Sequence, residues 1–309
     1  MAEREIKLHV EAGRLSKPFG PPVKARAPAW SARQTRAMDG PAMLRGMVES
    51  CLAQILPNAA EIARGSRDPE HVHQLRVGLR RLRSVARGMQ PFAVCLPADW
   101  EPAIMPVFDA LGDARDKHVQ STTLAPRLRE AGAPLADLGG PSEEEAKALQ
   151  QLVRGGAFQG MLPRLVSCCE ASGDAVARGD KGTGLAHLTR RLAKLMRQVT
   201  EHAHRFDELP FAQHHQVRKR LKRLRYLAAF AAPAFDRDDV DAWRAKVSAA
   251  QDRLGEYIDL ALAAERFAAL AVTEPDAGFA VGWLRAKAEA STRAARKSLQ
   301  RLDEAKSFW

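Results

Sequence analysis

His73-Gln74-Leu75-Arg76-Val77-Gly78-Leu79-Arg80-Arg81-Leu82-Arg83 returns in the second half of the chain as His215-Gln216-Val217-Arg218-Lys219-Arg220-Leu221-Lys222-Arg223-Leu224-Arg225. The offset is the same at His73, Arg76 and Arg83, so the chain carries an internal repeat. On a helix, His73, Arg76, Arg80, Arg83 and Arg87 have the alternating three- and four-residue spacing that stacks side chains along one face. Val72, Leu75, Leu79, Leu82 and Ala86 keep that spacing one residue earlier, about 100° around the helix. In the second copy Val217, Leu221, Leu224 and Ala228 form the apolar stripe, and His215, Arg218, Lys222 and Arg225 the basic one. A basic row beside a core stripe borders a groove between packed helices, and two duplicated rows are expected to face one cavity.

The charge in these helices is not softened in the usual way. Solvated basic helices place Glu or Asp three or four residues from Lys or Arg. Between Gln74 and Pro91, and between Gln213 and Pro233, there is no acidic residue at all. Like charges at helical spacing cost a few tenths of a kcal/mol per pair, roughly. A polyanion outside the helix would offset that cost. The whole chain agrees, with 48 Lys and Arg against 37 Asp and Glu, a net charge of +11. Such a balance favours nucleic acid, polyphosphate or an anionic surface as partner.

The remainder of the sequence reads as all-α. Alanine, leucine and arginine dominate, aromatic content is 6%, and strand alternation is missing beyond the first dozen residues. Residues 1–37 form a basic, Pro-rich and largely irregular arm, with Pro18, Pro21, Pro22 and Pro28 among cations. A first helical repeat is expected over 38–172 and a second over 173–309, the junction marked by Gly173, Gly179, Gly182 and Gly184. Met43 to Arg64 reads as a helix, the basic helix ends before Pro91, and Ser142 with Glu145 is a capping-box signature for another. The second half opens on a third basic row, His187, Arg190, Arg191, Lys194 and Arg197, beside Leu185, Leu188, Leu192, Leu195 and Val199. The first half has no such opening row, so the second half is expected to supply more positive potential.

A second paired motif extends the repeat. Leu111-Gly112-Asp113-Ala114-Arg115-Asp116 returns as Leu254-Gly255-Glu256-Tyr257-Ile258-Asp259, at nearly the offset of the basic helices. Within a helix the two glycines would admit a close neighbouring helix, and Asp116 and Asp259 would hold arginines of the basic row in place.

Other chemistries find little support. Cys51, Cys95, Cys168 and Cys169 show no ligand spacing and read as free thiols in a helical interior. His71 with His73, and His202 with His204, lie two apart and diverge on a helix, so no metal site and no cofactor is expected. No stretch approaches the roughly 20 apolar residues of a membrane span. The charged start from Glu3 to Lys7 lacks a signal-peptide core, which makes the cytoplasm the expected compartment.

The two His-x-x-Arg-x-x-x-basic-basic-Leu-Arg motifs, Arg225-Tyr226 and the two Leu-Gly-x-x-x-Asp segments resemble the CHAD family, the conserved histidine alpha-helical domain, over residues 38–305. The resemblance implies two pseudo-symmetric helical bundles around a basic cavity or pore that binds inorganic polyphosphate, often at polyphosphate granules. Carried over position by position, the implied ligand set is His73, Arg76, Arg80, Arg83, His215, Arg218, Lys222 and Arg225, with Arg81 and Arg223 also matching the motif. Arginine suits the task because its guanidinium grips two phosphate oxygens, whereas Lys222 offers a point charge. Histidines among so many cations should be neutral and gain charge only beside bound polyanion. Glu3-Arg4-Glu5-Ile6-Lys7 resembles the start of the CYTH family, β-barrel enzymes that cleave triphosphates, but the sequence that follows departs from that domain and no such activity is expected.

Three functional classes follow. The first is non-catalytic polyphosphate binding, for which no nucleophile or acid–base pair is needed. The second is nucleic-acid binding, disfavoured because only Phe92, Tyr226 and Phe230 accompany the basic helices, too few aromatics for base stacking. The third is a metal-dependent phosphoanhydride hydrolase, which would have to gather Asp113, Asp116, Glu256 and Asp259 around one cation. Oligomeric state is left open by the sequence.

Overall fold

A computed structural model of the chain describes residues 19–26, 29–170 and 182–309. Every regular element among them is helical. The α-helices in order are α1 Ala32–Ala37, α2 Gly40–Arg64, α3 Pro69–Gly88, α4 Trp100–Val119, α5 Ala125–Glu130, α6 Glu143–Arg154, α7 Gly156–Glu170, α8 Thr183–His204, α9 Phe211–Ala231, α10 Arg237–Leu270 and α11 Ala277–Asp303. The motif from Glu3 to Lys7 and the glycines at 173 and 179 lie outside the described residues.

Local chemistry sets the helix ends. Asp39 caps α2 by accepting from the amide of Ala42, and Gly65 stops it in the left-handed region that favours glycine. Asp68 caps α3, whose first residue is Pro69. The box expected at Ser142 and Glu145 is formed and starts α6. A second box, from Ser31 to Gln34, starts the short α1 inside the arm expected to be irregular. Gln34 plays there the part that Glu145 plays in α6.

The described residues divide into two compact units, one drawn from Met1–Val119 and Gly139–His187, the other from Gln120–Leu138 and Leu188–Trp309. The stretch 120–138 therefore associates with the later part of the chain. Leu124 and Leu128 explain why, since both are buried with Leu260, Ala264, Phe267 and Leu284 of α10 and α11.

In the first unit α2, α3, α4 and α7 share the core, which includes Met43, Met47, Ile55, Leu75, Leu79, Leu82, Ile104, Leu111 and Leu165. A Cβ at Gly78 would stand 2.7 Å from Ile55 Cγ1, so this glycine is what lets α2 and α3 approach. Residues 20–26 run along the same two helices, pinned by side chains. Asn58 donates to the carbonyl of Val23 at 2.8 Å and accepts from its amide, and His71 Nε2 donates to the carbonyl of Gly20 at 3.0 Å. Part of the expected arm is thus held by hydrogen bonds from buried polar groups, which composition could not reveal.

The cysteines differ from expectation. Cys95 and Cys168 are joined as a disulfide, with Cα atoms 5.2 Å apart, because the turn after α3 is brought against α7. Cys51 and Cys169 are free thiols as expected, and burial pushes the thiol pKa of each up to about 12.

In the second unit α10 and α11 pack along their length, and α9 lies on α10. The chain end folds back, with the Phe308 and Trp309 rings 5.1 and 5.2 Å from that of Trp243. Among the described residues no helix is long and apolar enough to cross a membrane.

Candidate functional site

Both basic rows lie where the spacing puts them. On α3, Leu75, Leu79, Leu82 and Ala86 are buried, and His73, Arg76, Arg80 and Arg83 are half-buried beside them. On α9, Val217, Leu221, Leu224 and Ala228 are buried, and His215, Arg218, Lys222, Arg223 and Arg225 are half-buried. A charged side chain in that position packs its stem on the core and keeps its head at the rim.

The neighbouring helix in each unit supplies the seat for the row. Along α4, Glu101, Phe108, Gly112 and Asp116 share one face at seven- and four-residue spacing. The guanidinium carbons of Arg83, Arg76 and Arg80 lie 4.8, 5.2 and 5.8 Å from the centre of the Phe108 ring, so one aromatic ring carries three cations. Arg76 continues over Gly112. A Cβ there would overlap its Nη1, with Cζ only 3.0 Å away. The close neighbour that Gly112 admits is therefore a guanidinium, where the sequence suggested a helix backbone.

The same arrangement recurs on α10. Arg218 passes over Gly255 with Nη2 3.3 Å from where a Cβ would stand, and its two terminal nitrogens donate to Asp259 at 2.7 and 3.0 Å. Asp259 thus holds Arg218 as a bidentate pair. Asp116 acts on Arg76 through charge, together with Asp113 and Asp109. Burial, and then Arg80, push the other way and lower the Arg76 pKa.

Both histidines of the rows favour the neutral form. His73 lies below its usual 6.5 through burial first, then the positive charges of Arg115, Arg80 and Arg76, with Glu70 opposing. His215 is lowered by burial, then by Lys219, Arg218 and Lys222, against Asp259. An anion entering either row would oppose the shift.

Several candidate residues have other employment. Arg81 is 4% exposed and donates to Gln54 Oε1 at 2.9 Å, Ser50 Oγ at 3.1 Å and the carbonyl of Arg26 at 3.4 Å. It faces the interior, about 100° from Arg80, and ties down the N-terminal strap. His187 Nε2 donates to the carbonyl of Gly88 at 2.9 Å, with its ring edge-on to Phe92. That bond occupies the His187 Nε2 donor. Arg190 and Lys194 are exposed on α8, and Arg191 is half-buried.

The histidines outside the rows are occupied as well. His71 accepts from Ser66 Oγ at 2.7 Å, His202 Nδ1 donates to the Gln198 carbonyl at 2.7 Å, and His204 lies 3.2 Å from Asp303. His214 stacks on Phe206 and accepts from the Tyr257 hydroxyl at 3.1 Å. Among the described residues no three His, Cys, Asp or Glu side chains converge as metal ligands would.

Three polar atoms of the second unit are more telling. Arg191 Nε, Arg218 Nε and Arg225 Nε are buried and have no acceptor among the described residues. Buried donors are normally satisfied, so these three nitrogens stand out in the second unit. In the first unit the equivalent nitrogen of the row's third motif arginine is taken, since Arg83 Nε donates to Glu101 Oε1 at 2.8 Å. Arg87 Nη2 reaches the same oxygen at 2.6 Å. Sequence reasoning did not single out Phe108 and Glu101, although their shared face with Gly112 was available as a signal.

The family model described as CHAD domain matches residues 46–268. No curated protein matches the chain. Among solved structures, the crystal structure of the CHAD domain from the plant Ricinus communis is similar, with a TM-score of 0.72 and 24% identity over 90% of this chain and 96% of that one. At that identity the likeness speaks for the helical fold.

Proposed function

The chain belongs to the CHAD family, and from that premise we propose that it binds inorganic polyphosphate without transforming it, through the rows His73, Arg76, Arg80 and His215, Arg218, Lys222, Arg225, with Arg190, Arg191 and Lys194 adding charge. The observation that carries this reading is the set of buried arginine Nε–H donors without a protein acceptor among the described residues. A chain of tetrahedral phosphates offers oxygens at short, regular intervals, and rigidly seated guanidinium groups match them. Phe108, Gly112 and Gly255 hold the groups in place before the ligand arrives, which lowers the entropy cost of binding. By the same reading the protein is targeted to, or organises, polyphosphate granules.

The test is titration of long-chain polyphosphate into the wild type and into a variant combining Arg76→Ala, Arg80→Ala, Arg218→Ala and Lys222→Ala, with circular dichroism to establish that the variant is folded. The wild type is expected to bind tightly and the variant weakly, with no orthophosphate released in the presence of Mg²⁺. Equal binding by both proteins overturns the assignment to these rows, and displacement by duplex DNA at equal charge concentration moves the reading to nucleic acid.

A further inference from the structure

The offset that relates Leu111 to Leu254 also relates Trp100 to Trp243, and the next pair is Glu101 and Arg244. A carboxylate in the first unit thus stands where the second has a guanidinium, one that pairs with Asp241 at 2.9 Å. The consequence falls on the row arginines. Arg83 Nε donates to Glu101, while the Nε of Arg225, its counterpart in the second row, is buried without an acceptor among the described residues. Asp116 and Asp259 do not create this difference, because each unit places one of them near the first motif arginine.

We infer that Glu101 is an internal competitor for the polyanion, an acid that occupies Arg83 and Arg87 and confines binding on α3 to His73, Arg76 and Arg80. The inference rests on the polyphosphate reading and specifies how that site is regulated. A carboxylate oxygen receiving two guanidinium N–H bonds at 2.8 and 2.6 Å makes the contacts a phosphate oxygen would make. Glu101 is only 29% exposed on its side chain, so the pair is partly shielded from salt and resists displacement. On α9 no carboxylate from the corresponding position intervenes, and Arg225 is a full contributor. The two copies of the basic helix therefore differ in strength, the second being the stronger.

The experiment compares polyphosphate binding by the wild type and by Glu101→Gln, Arg83→Ala and Arg225→Ala variants at several salt concentrations. Glu101→Gln removes the competing charge and keeps the shape. It should bind about tenfold more tightly. With two cations released to the ligand, its logarithmic salt dependence should steepen by about 1.4, on the scale of single-stranded polyanions. Arg225→Ala should weaken wild-type binding about tenfold and Arg83→Ala less than about twofold.

Arginine side-chain NMR on the wild type gives a second readout that needs no variant. The Arg225 Nε–H signal should move on adding polyphosphate and that of Arg83 should not. Unchanged affinity and slope in Glu101→Gln, or equal losses from the two arginine variants, overturns the inference while leaving the polyphosphate reading intact. Failure of the wild type to bind polyphosphate overturns the reading itself.

Discussion

Along α4 the face beneath the first basic row presents Glu101, Phe108, Gly112 and Asp116; along α10 the matching positions beneath the second present Arg244, Gln251, Gly255 and Asp259. Two of the four positions agree. The glycine and the aspartate seat an arginine in both units, by making room for its guanidinium and supplying opposite charge. The other two positions have diverged, and with them the environment of the row. In the first unit an aromatic ring carries three arginines and an acid takes the end of the row. In the second, Gln251 Oε1 is buried without a partner among the described residues, and so is Arg225 Nε. What the repeat kept is the placement of one guanidinium; what it altered is which row cations are paired with an acid inside the protein.

The comparison extends to how each unit is secured, and here the largest effect is expected. Deleting Phe308 and Trp309 strips the ring of Trp243, which is 3% exposed. Loss of a buried aromatic costs about 3–5 kcal/mol. Thermal unfolding should show a lowered transition for the second unit, and an unchanged melt would mean that the chain end contributes no stability.

Next in size is Arg81→Met, which leaves Gln54 Oε1 and the carbonyl of Arg26 without this donor. A stability loss of about 2–3 kcal/mol is expected in denaturant titration, with polyphosphate affinity unchanged. Arg80→Met should do the reverse, weakening binding at little cost to folding. A loss of affinity in Arg81→Met with stability intact would return Arg81 to the ligand set.

The two glycines should separate more finely. Gly112→Ala displaces Arg76 and is expected to weaken polyphosphate about tenfold, a loss comparable with one charge-assisted hydrogen bond. Gly255→Ala meets Arg218 only at 3.3 Å and should change affinity less than about twofold. Equal effects would mean that the two seats are equivalent after all.

The smallest effect is with pH. His73 and His215 protonate below 6.5 in the folded chain, so the stability tied to their neutral forms is complete above pH 6.5 and is lost as pH falls through the lowered values. Polyanion raises those values. Binding should therefore take up protons and tighten modestly as pH falls from about 7.5 to about 5.5. A His73→Gln, His215→Gln variant should lose that dependence, and calorimetry in buffers of different ionisation enthalpy reads it directly.

The basic helices, their apolar stripes, the cap at Ser142 and the all-α character were legible because they depend on spacing within single helices, and helical geometry converts spacing into facing direction without reference to the rest of the fold. The sequence also singled out Gly112, Asp116, Gly255 and Asp259, since a repeat exposes positions that matter twice. The residues it missed or misread share a different property. Arg81 and Arg80 are adjacent in a run of cations, and only the approach of Gln54 and Ser50 on α2 assigns one to the interior.

The Cys95–Cys168 disulfide joins positions far apart in the chain. Its pairing depends on where α7 lands, which no local spacing encodes. Glu101 reads as an ordinary acid near a helix start until tertiary packing places it against Arg83 and Arg87. Sequence alone thus determined the all-α character of the chain and which faces of the basic helices are apolar or basic, because these are properties of short-range periodicity. Tertiary structure alone decided which cations are taken by internal acids and carbonyls and which arginine donors are left without an acceptor among the described residues, because hydrogen bonding depends on atoms meeting at about 3 Å.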